Sequence, residues 1–388
     1  MGIFLSWFRI TTHYPIASVY FASIFEFSGI GLYTTSMTPS QNIPIRVGLA
    51  SYGMSGLVFH APLLAAHPGF QITKVLERSS EKSKLRYPEV EVVKDFDHLL
   101  QDDTIELIVV NTPNALHLEM GRKALEAGKH VVLEKPFTVT AQEAQELITL
   151  AKTQNRVLTV FQNRRWDGDF RTIQQVVQQQ LLGKLVYYEA HYDRFRNYVE
   201  ANTWKEETGP GSGILYNLGS HMIDQTLVLF GQPQAITANV GTQRPSGKID
   251  DYYDIILHYP DLTAVLKSSY LVREAGPRYI LHGTEGSFLK HGIDPQEEAL
   301  KVGQVPGGPG WGHEQKADWG ILNTQLNGLH FNGTLETLPG SYPSFYQNVY
   351  EAIREGRDLQ VKPEEAALGI YLIELARQSS QEKRTITL

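Results

Sequence analysis

The chain of 388 residues contains no cysteine. That excludes a disulfide framework, thiolate-ligated zinc, iron–sulfur clusters and a cysteine nucleophile, so any catalysis must use oxygen and nitrogen groups. A basic run is also missing. With 35 Lys and Arg against 42 Asp and Glu, the net charge is −7, and no lysine-rich arm is present to meet a phosphate backbone. Nucleic acid is therefore not an expected partner. No apolar stretch reaches the roughly 20 residues a membrane-spanning helix needs. The cleanest, IASVYFASIF, is flanked by Pro15 and Glu26. The 13 histidines include no H-E-x-x-H or comparable cluster, so no metal is expected. A cytoplasmic protein with no membrane partner is the expectation. Residues 1–40 are read as an N-terminal appendage, poorly ordered and upstream of the folded body. An export signal fits them less well, because Arg9 alone supplies the basic start and no A-x-A-like cleavage site follows.

The hydrophobic content of 42% is enough, at this length, for two domains that each bury a core. From Ile45 the pattern alternates: IRVGLA, a helix near residues 55–66, ITKVLE, a short helix near DFDHLL, IELIVVN, a helix from Ala115, HVVLE, a helix from Ala141, then RVLTVF. Runs that are apolar throughout are expected of parallel strands covered by helices on both faces. The prediction is a doubly wound α/β domain over 43–162. Asn114 is placed to cap the helix ALHLEMGRKALEAG and Gly128 to close it, while Thr140 and Glu143 have capping-box spacing. Beyond Phe161, tyrosine-rich runs of period two predict an α+β domain over 163–388, with an antiparallel or mixed sheet. One helix, ILYNLGSHMIDQTLVLF, interrupts it. The Gly- and Pro-rich region from His291 to Gly340 reads as long loops, and Pro363 opens a final helix.

In SYGMSGLVFHAPLL, Ser51 stands where a dinucleotide-binding fingerprint has its first glycine, and Gly53 and Gly56 keep the other two. A small residue can make the first bend, so Ser51, Tyr52, Gly53, Met54 and Gly56 form the candidate phosphate turn. A βα turn without a ligand is the other reading of this stretch. Glu77 ends ITKVLE at the separation suited to a ribose-hydroxyl acceptor, which favours NAD by a small margin. Arg78, followed by Ser79 and Ser80, could offset repulsion of a 2′-phosphate and admit NADP.

Taken in order, SYGMSGLVFHAPLL, VVNTPNALHLEMGRKALEAGKHVVLEKPF, FQNRRWDGDF, HYDRFR and GSGILYNLGSHMIDQ resemble the Gfo/Idh/MocA oxidoreductases. The resemblance covers nearly everything from Ile45 to Leu388. It implies a Rossmann domain followed by a large, mainly antiparallel open sheet, NAD or NADP in the crevice, and a homodimer or homotetramer built by sheet packing. The implied activity is hydride transfer between the cofactor and a secondary alcohol or ketone of a sugar, inositol or related polyol. Lys135 of the EKP element would polarise the substrate oxygen, and Pro136 after it keeps it out of helical geometry. His221 would act as general acid/base, with Asn217 one helical turn earlier orienting the imidazole. Relatives commonly carry aspartate at that position, and an amide orients without stabilising an imidazolium.

The resemblance further places nicotinamide-ribose contacts at Asn111, Thr112, Pro113, Asn114 and His117, with Glu134 similar, and counts Lys135 among the cofactor contacts as well. Asn163, Arg164 and Arg165 contact either the cofactor or the bound polyol, or form a domain-junction ion pair. His191, Asp193, Arg194 and Arg196 offer donors and acceptors to a polyhydroxylated ligand, although strand alternation keeps them from all facing one side. Asp224 reads as a structural helix residue. Two other functions stay open: an NAD-dependent glycosidase acting by transient oxidation, and a non-enzymatic NAD(P)-binding regulator.

Overall fold

The computed structural model describes residues 43–200, 203 and 206–388; the expected appendage over residues 1–40 lies outside them. The apolar runs become β1 (Ile45–Leu49), β2 (Phe70–Leu76), β4 (Leu107–Val110), β5 (His130–Leu133) and β6 (Leu158–Val160). With β3 (Glu91–Val93) they form a six-stranded sheet in the order β3-β2-β1-β4-β5-β6, parallel throughout. Helices cover both faces, and Ile108, Val109, Val110, Val131, Val132 and Leu133 are fully buried. The strand order reverses between β1 and β4. A ligand crevice is expected there, beyond the carboxyl ends of those two strands.

The helix at 141–153 carries the predicted capping box: Thr140 Oγ1 accepts from the Glu143 amide, and the Glu143 carboxylate accepts from the Thr140 amide. Asn114 does not cap its helix. The chain makes a 3₁₀ turn at Asn114–Leu116 before the α-helix begins at His117, and the Asn114 side chain donates instead to the Gly211 carbonyl (2.7 Å). It thereby ties the first domain to a loop of the second.

The second sheet has nine strands: β7 (Leu185–His191), β8 (Ala235–Gly241), β9 (Tyr252–His258), β10 (Thr263–Ser269), β11 (Tyr279–Gly283), β12 (Gly286–Lys290), β13 (Gly320–Leu326), β14 (Leu329–Leu335) and β15 (Ile386–Thr387). Their order is β14-β13-β12-β11-β7-β10-β9-β8-β15, antiparallel except where β7 meets β10. The expected long loops between His291 and Gly340 are only partly loops, since they also contain the helix Gln296–Lys301 and the hairpin of β13 and β14. That hairpin turns on Asn327 and Gly328, both at positive φ, which suits the right-handed twist of its strands.

Alternation along β7 divides its side chains between two faces. Tyr188, Ala190 and Tyr192 are buried on one face. There the neighbouring tyrosines of the sheet reach the helix Ser220–Phe230, with Tyr279 Oη donating to Gln225 and Tyr253 Oη to Met222. Tyr187, Glu189, His191 and Asp193 share the other face, where the His191 ring bridges Glu189 (2.6 Å) and Asp193 (2.9 Å). Among the described residues no helix is long and apolar enough to cross a membrane.

His130, opening β5, accepts a hydrogen bond at Nδ1 from the Val157 amide (2.9 Å). Burial, with a smaller push from Arg156, lowers its pKa to about 4. Below the ordinary imidazole value the folded chain thus binds fewer protons than the unfolded one. Its stabilising share is complete above that value and is lost as pH falls through the window towards 4. Going from about pH 7 to about pH 5 should remove about 2 kcal/mol through this residue. Urea unfolding at both pH values checks this, because His130→Gln should lack that part of the loss.

Candidate functional site

The turn after β1 is held by its own polar groups. Ser51 Oγ accepts from the Gly53 amide (3.1 Å), and Asn111 Nδ2, at the end of β4, donates to the Ser51 carbonyl (2.9 Å). Ser51 is not among the residues with positive φ, so a side chain is tolerated at the position of the first glycine. Gly56 is dictated by space: a Cβ there would lie 2.5 Å from the Ser51 carbonyl oxygen and 2.8 Å from Asn111 Nδ2. The helix from Gly56 begins with a π-helical turn and continues as α-helix to Ala65. Between this turn and the end of β2 opens a cleft of about 410 Å³. Ser51, Tyr52, Gly53, Glu77, Arg78, Thr112 and Pro113 of the expected cofactor residues line it. Ser79, Ser80 and Lys82 add polar groups to the same wall. Met54 is exposed beside the turn.

Glu77 does not present a free carboxylate to this cleft. It is buried, and it accepts from Ser80 Oγ (2.5 Å) and from the amides of Lys82 (2.9 Å) and Ser83 (2.9 Å). Burial alone would raise its pKa, but these hydrogen bonds hold it below the ordinary carboxylate range. Most of its acceptor capacity is committed to shaping the loop from Ser80 to Ser83. The small margin for NAD rested on that carboxylate, which lines the cleft with little acceptor capacity left over from its own loop.

Lys135 and Asn217 meet across the domain boundary. Lys135 Nζ donates to the Asn217 carbonyl oxygen (2.9 Å) and to its Oδ1 (3.0 Å). The expectation that Asn217 orients His221 is therefore corrected. Asn217 lies in a π-helical turn, Leu215–Gly219, which alters the side-chain directions an α-helical spacing assumes, and its amide oxygen serves the ammonium instead. His221 follows in the helix, buried, with Nδ1 lacking a hydrogen-bond partner among the described residues. Burial first, then the charges of Lys135, Arg164, Arg278 and Arg194, hold its pKa well below the usual imidazole range. The result is a neutral imidazole in a field of cations.

Behind Lys135 stands a relay that the sequence reading did not include. Tyr346 Oη lies 2.7 Å from His60 Nδ1, His60 Nε2 lies 3.0 Å from Glu134 Oε1, and Glu134 Oε2 accepts from the Lys135 amide (2.8 Å). With Nε2 donating to Glu134 and Nδ1 accepting a hydrogen bond from the Tyr346 hydroxyl, every member of the relay is satisfied. Burial pushes the Glu134 carboxyl up, but His60 and Lys135 bring it below its ordinary range. Glu134 thus braces the backbone of Lys135, in contrast to the expected cofactor contact. His117 is likewise structural: its Nδ1 faces the carbonyls of Pro136 and Phe137, and its Nε2 that of Thr112. It pins the loop after β4 to the loop after β5.

Among the residues left open between ligand contact and junction, the two arginines are taken up by ion pairs. Arg164 pairs with Asp167 (3.3 Å) and Glu297 (2.6 Å), and Arg165 grips Asp224 bidentately (2.8 and 2.6 Å) while reaching Glu365 (2.8 Å). Asn163 is buried next to them. Asp193 and Arg194, expected together at the substrate, separate by alternation. Asp193 joins His191 on the open face of the sheet, whereas Arg194 stacks over Tyr192 on the face towards His221. Arg196 lies over the Tyr270 ring. Among the described residues no group of three or more His, Asp or Glu side chains could hold a metal ion.

Residues 45–162 match the family model described as the oxidoreductase family, NAD-binding Rossmann fold, and residues 174–388 match its C-terminal alpha/beta domain. The chain is 43% identical over 344 residues to scyllo-inositol 2-dehydrogenase (NADP(+)) IolW of Bacillus subtilis strain 168, a match that covers 89% of this chain and 96% of that one. It is 42% identical to the uncharacterized oxidoreductase YdgJ of Escherichia coli K12, over 89% and 99% of the two chains. The solved structure of yvaA from Bacillus subtilis superposes with a TM-score of 0.86 at 42% identity, covering 90% of this chain and 99% of that one.

Proposed function

The chain belongs to the Gfo/Idh/MocA family of NAD(P)-binding oxidoreductases, and from that premise we propose that it interconverts a secondary alcohol of a polyol, sugar or inositol with the corresponding ketone. The observation that carries this reading is the convergence of Lys135 from one domain with Asn217 and His221 from the other. The chain's own residues also fit a dinucleotide. Tyr52 Oη, Asn111 Oδ1 and Thr112 Oγ1 are buried polar atoms without partners among the described residues, at the reversal of strand order and next to the open cleft. When bound, the nicotinamide supplies the hydride acceptor or donor. Lys135 donates a hydrogen bond to the substrate oxygen and stabilises negative charge that develops on it. His221, neutral, accepts the hydroxyl proton in oxidation and returns it in reduction.

The cofactor that suits the cleft is NADP. Glu77 lines this wall too, but most of its acceptor capacity is spent on its own loop, so the groups left to meet a 2′-phosphate are those of Arg78, Ser79, Ser80 and Lys82. The relative IolW, named for NADP(+), points the same way. A charge-assisted hydrogen bond from Arg78 is worth about 1.5–3 kcal/mol, so Arg78→Ala should weaken NADPH binding by about 10–100-fold. Calorimetric titration should show NADH affinity almost unchanged; a parallel loss of both would remove Arg78 from phosphate recognition. Activity is tested by following reduced-cofactor absorbance with NADP+ and NAD+ against inositols, aldoses and sugar acids. Cofactor reduction with none of them would overturn the assignment.

A further inference from the structure

We propose that the substrate carries an anionic group, a carboxylate or a phosphate ester, seated against the guanidinium group of Arg194, with the charge of the buried Arg278 behind it, while its reacting carbon faces Lys135 and His221. The proposal rests on the reading of that site as an alcohol/ketone centre and names the substrate class it takes.

Three guanidinium groups surround the ring of Tyr192: Arg278 at 4.4 Å from the ring centroid, Arg164 at 5.2 Å and Arg194 at 5.5 Å. Their charges are balanced very differently. Arg164 is neutralised by Asp167 and Glu297. Arg278 has only 5% of its surface exposed, and among the described residues it forms no ion pair. Its Nη1 donates to the His191 carbonyl, while Nε and Nη2, closed off from solvent, have no partner among the described residues. The carboxylate whose field reaches it is that of Asp169, yet Asp169 bonds to the Phe170 amide through Oδ1 and leaves Oδ2 without a partner. Arg194 is half-buried, anchored by its backbone to Ser269 and Val272. Among the described residues its guanidinium makes no ion pair either, only the stack on Tyr192.

A buried guanidinium with open donors is costly unless something anionic completes it. Stacking on an aromatic face fixes the plane of the fork and leaves its N–H edge free, which matches a carboxylate or phosphate bidentately. Arg278 also lies over the ring of Tyr279 (4.7 Å), whose hydroxyl donates to Gln225 one helical turn after His221, so the unbalanced charge lies on the His221 side of the sheet, and both guanidinium groups hold the His221 pKa down. Hydroxyl groups of a neutral polyol could accept hydrogen bonds from these donors but would leave the charge unmatched.

The test uses the full chain with NADP+ and substrate pairs that differ in charge: D-gluconate against D-glucitol, and D-glucose 6-phosphate against D-glucose. In at least one pair the charged member should have kcat/KM about tenfold or more above the neutral one, a gap that added salt narrows. Arg194→Gln should reduce that gap by about tenfold, the equivalent of one lost charge-assisted hydrogen bond. Preference for gluconate identifies a carboxylate, and preference for the phosphate ester identifies a phosphate. Neutral members turned over as well as or better than their charged counterparts overturn the proposal, as does an anion preference that Arg194→Gln leaves intact. If no polyol reduces the cofactor, the alcohol/ketone reading fails separately. Calorimetry of the NADPH-loaded protein with gluconate and glucose 6-phosphate then decides the anion site: binding weakened by Arg194→Gln supports it, and absence of binding by both overturns it.

Discussion

Lys135→Met should lower kcat for any polyol substrate by about 10²–10⁴-fold, the range that one well-placed catalytic group supplies. Methionine keeps an unbranched stem of similar reach, so the helix and loop packing around it should survive. What it loses is the ammonium and with it the two hydrogen bonds to Asn217, at 2.9 and 3.0 Å. Calorimetry with NADPH should give an affinity near that of the parent, because the cleft between the Ser51 turn and Arg78 does not include the Lys135 side chain among its walls. The split matters. A variant that loses turnover and cofactor binding together would mean that Lys135 chiefly supports the nucleotide site, and one that keeps turnover within a few-fold would remove it from the chemistry. The relay of Tyr346, His60 and Glu134 holds the Lys135 backbone from behind, so the ammonium is positioned by both domains at once.

The parts of this molecule that could be read from sequence are those whose information is local. Continuous apolar runs such as IELIVVN are buried on both faces, and that alone identifies a covered parallel strand. The strand Glu91–Val93 escaped because it is three residues long at a sheet edge and buries only Val93. The hairpin of β13 and β14 escaped although Asn327-Gly328 sits between two alternating runs, a turn signal obscured by the glycines and prolines that precede it. Lys135 and His221 were legible as candidates through motif order, and the glycine turn through its spacing. Their partners were not. Lys135 meets Asn217 across 82 residues and His60 meets Tyr346 across 286, and no periodicity reports a pairing of that separation. Asn217 illustrates the failure most clearly. A four-residue spacing assumes α-helix, and the π-helical turn that follows Ile214 breaks that assumption. The same holds for Glu77, whose identity suggested a ribose contact while its hydrogen bonds close its own loop.

His221→Gln should likewise cost about 10²–10⁴-fold in kcat, and the pH profile of the parent should show why the imidazole is suited to its task. Burial and four neighbouring cations depress its pKa well below 6.5, so in the substrate-free enzyme it stays neutral across about pH 6–8. Since kcat/KM for alcohol oxidation reports the free enzyme, it should show no acid limb near pH 6.5 that His221→Gln abolishes. An inflection there, lost in the variant, would mean the ring titrates as though solvated. In the complex the sign of the effect reverses. An anionic group against Arg194 offsets cationic charge that opposes protonation, so the imidazole becomes more basic once such a substrate is bound. The acid limb of kcat should therefore lie at higher pH than that of kcat/KM for an anionic substrate, and the two should lie closer together for a neutral one. The cations that keep the proton acceptor free in the empty site would then be the groups whose neutralisation strengthens it when substrate arrives.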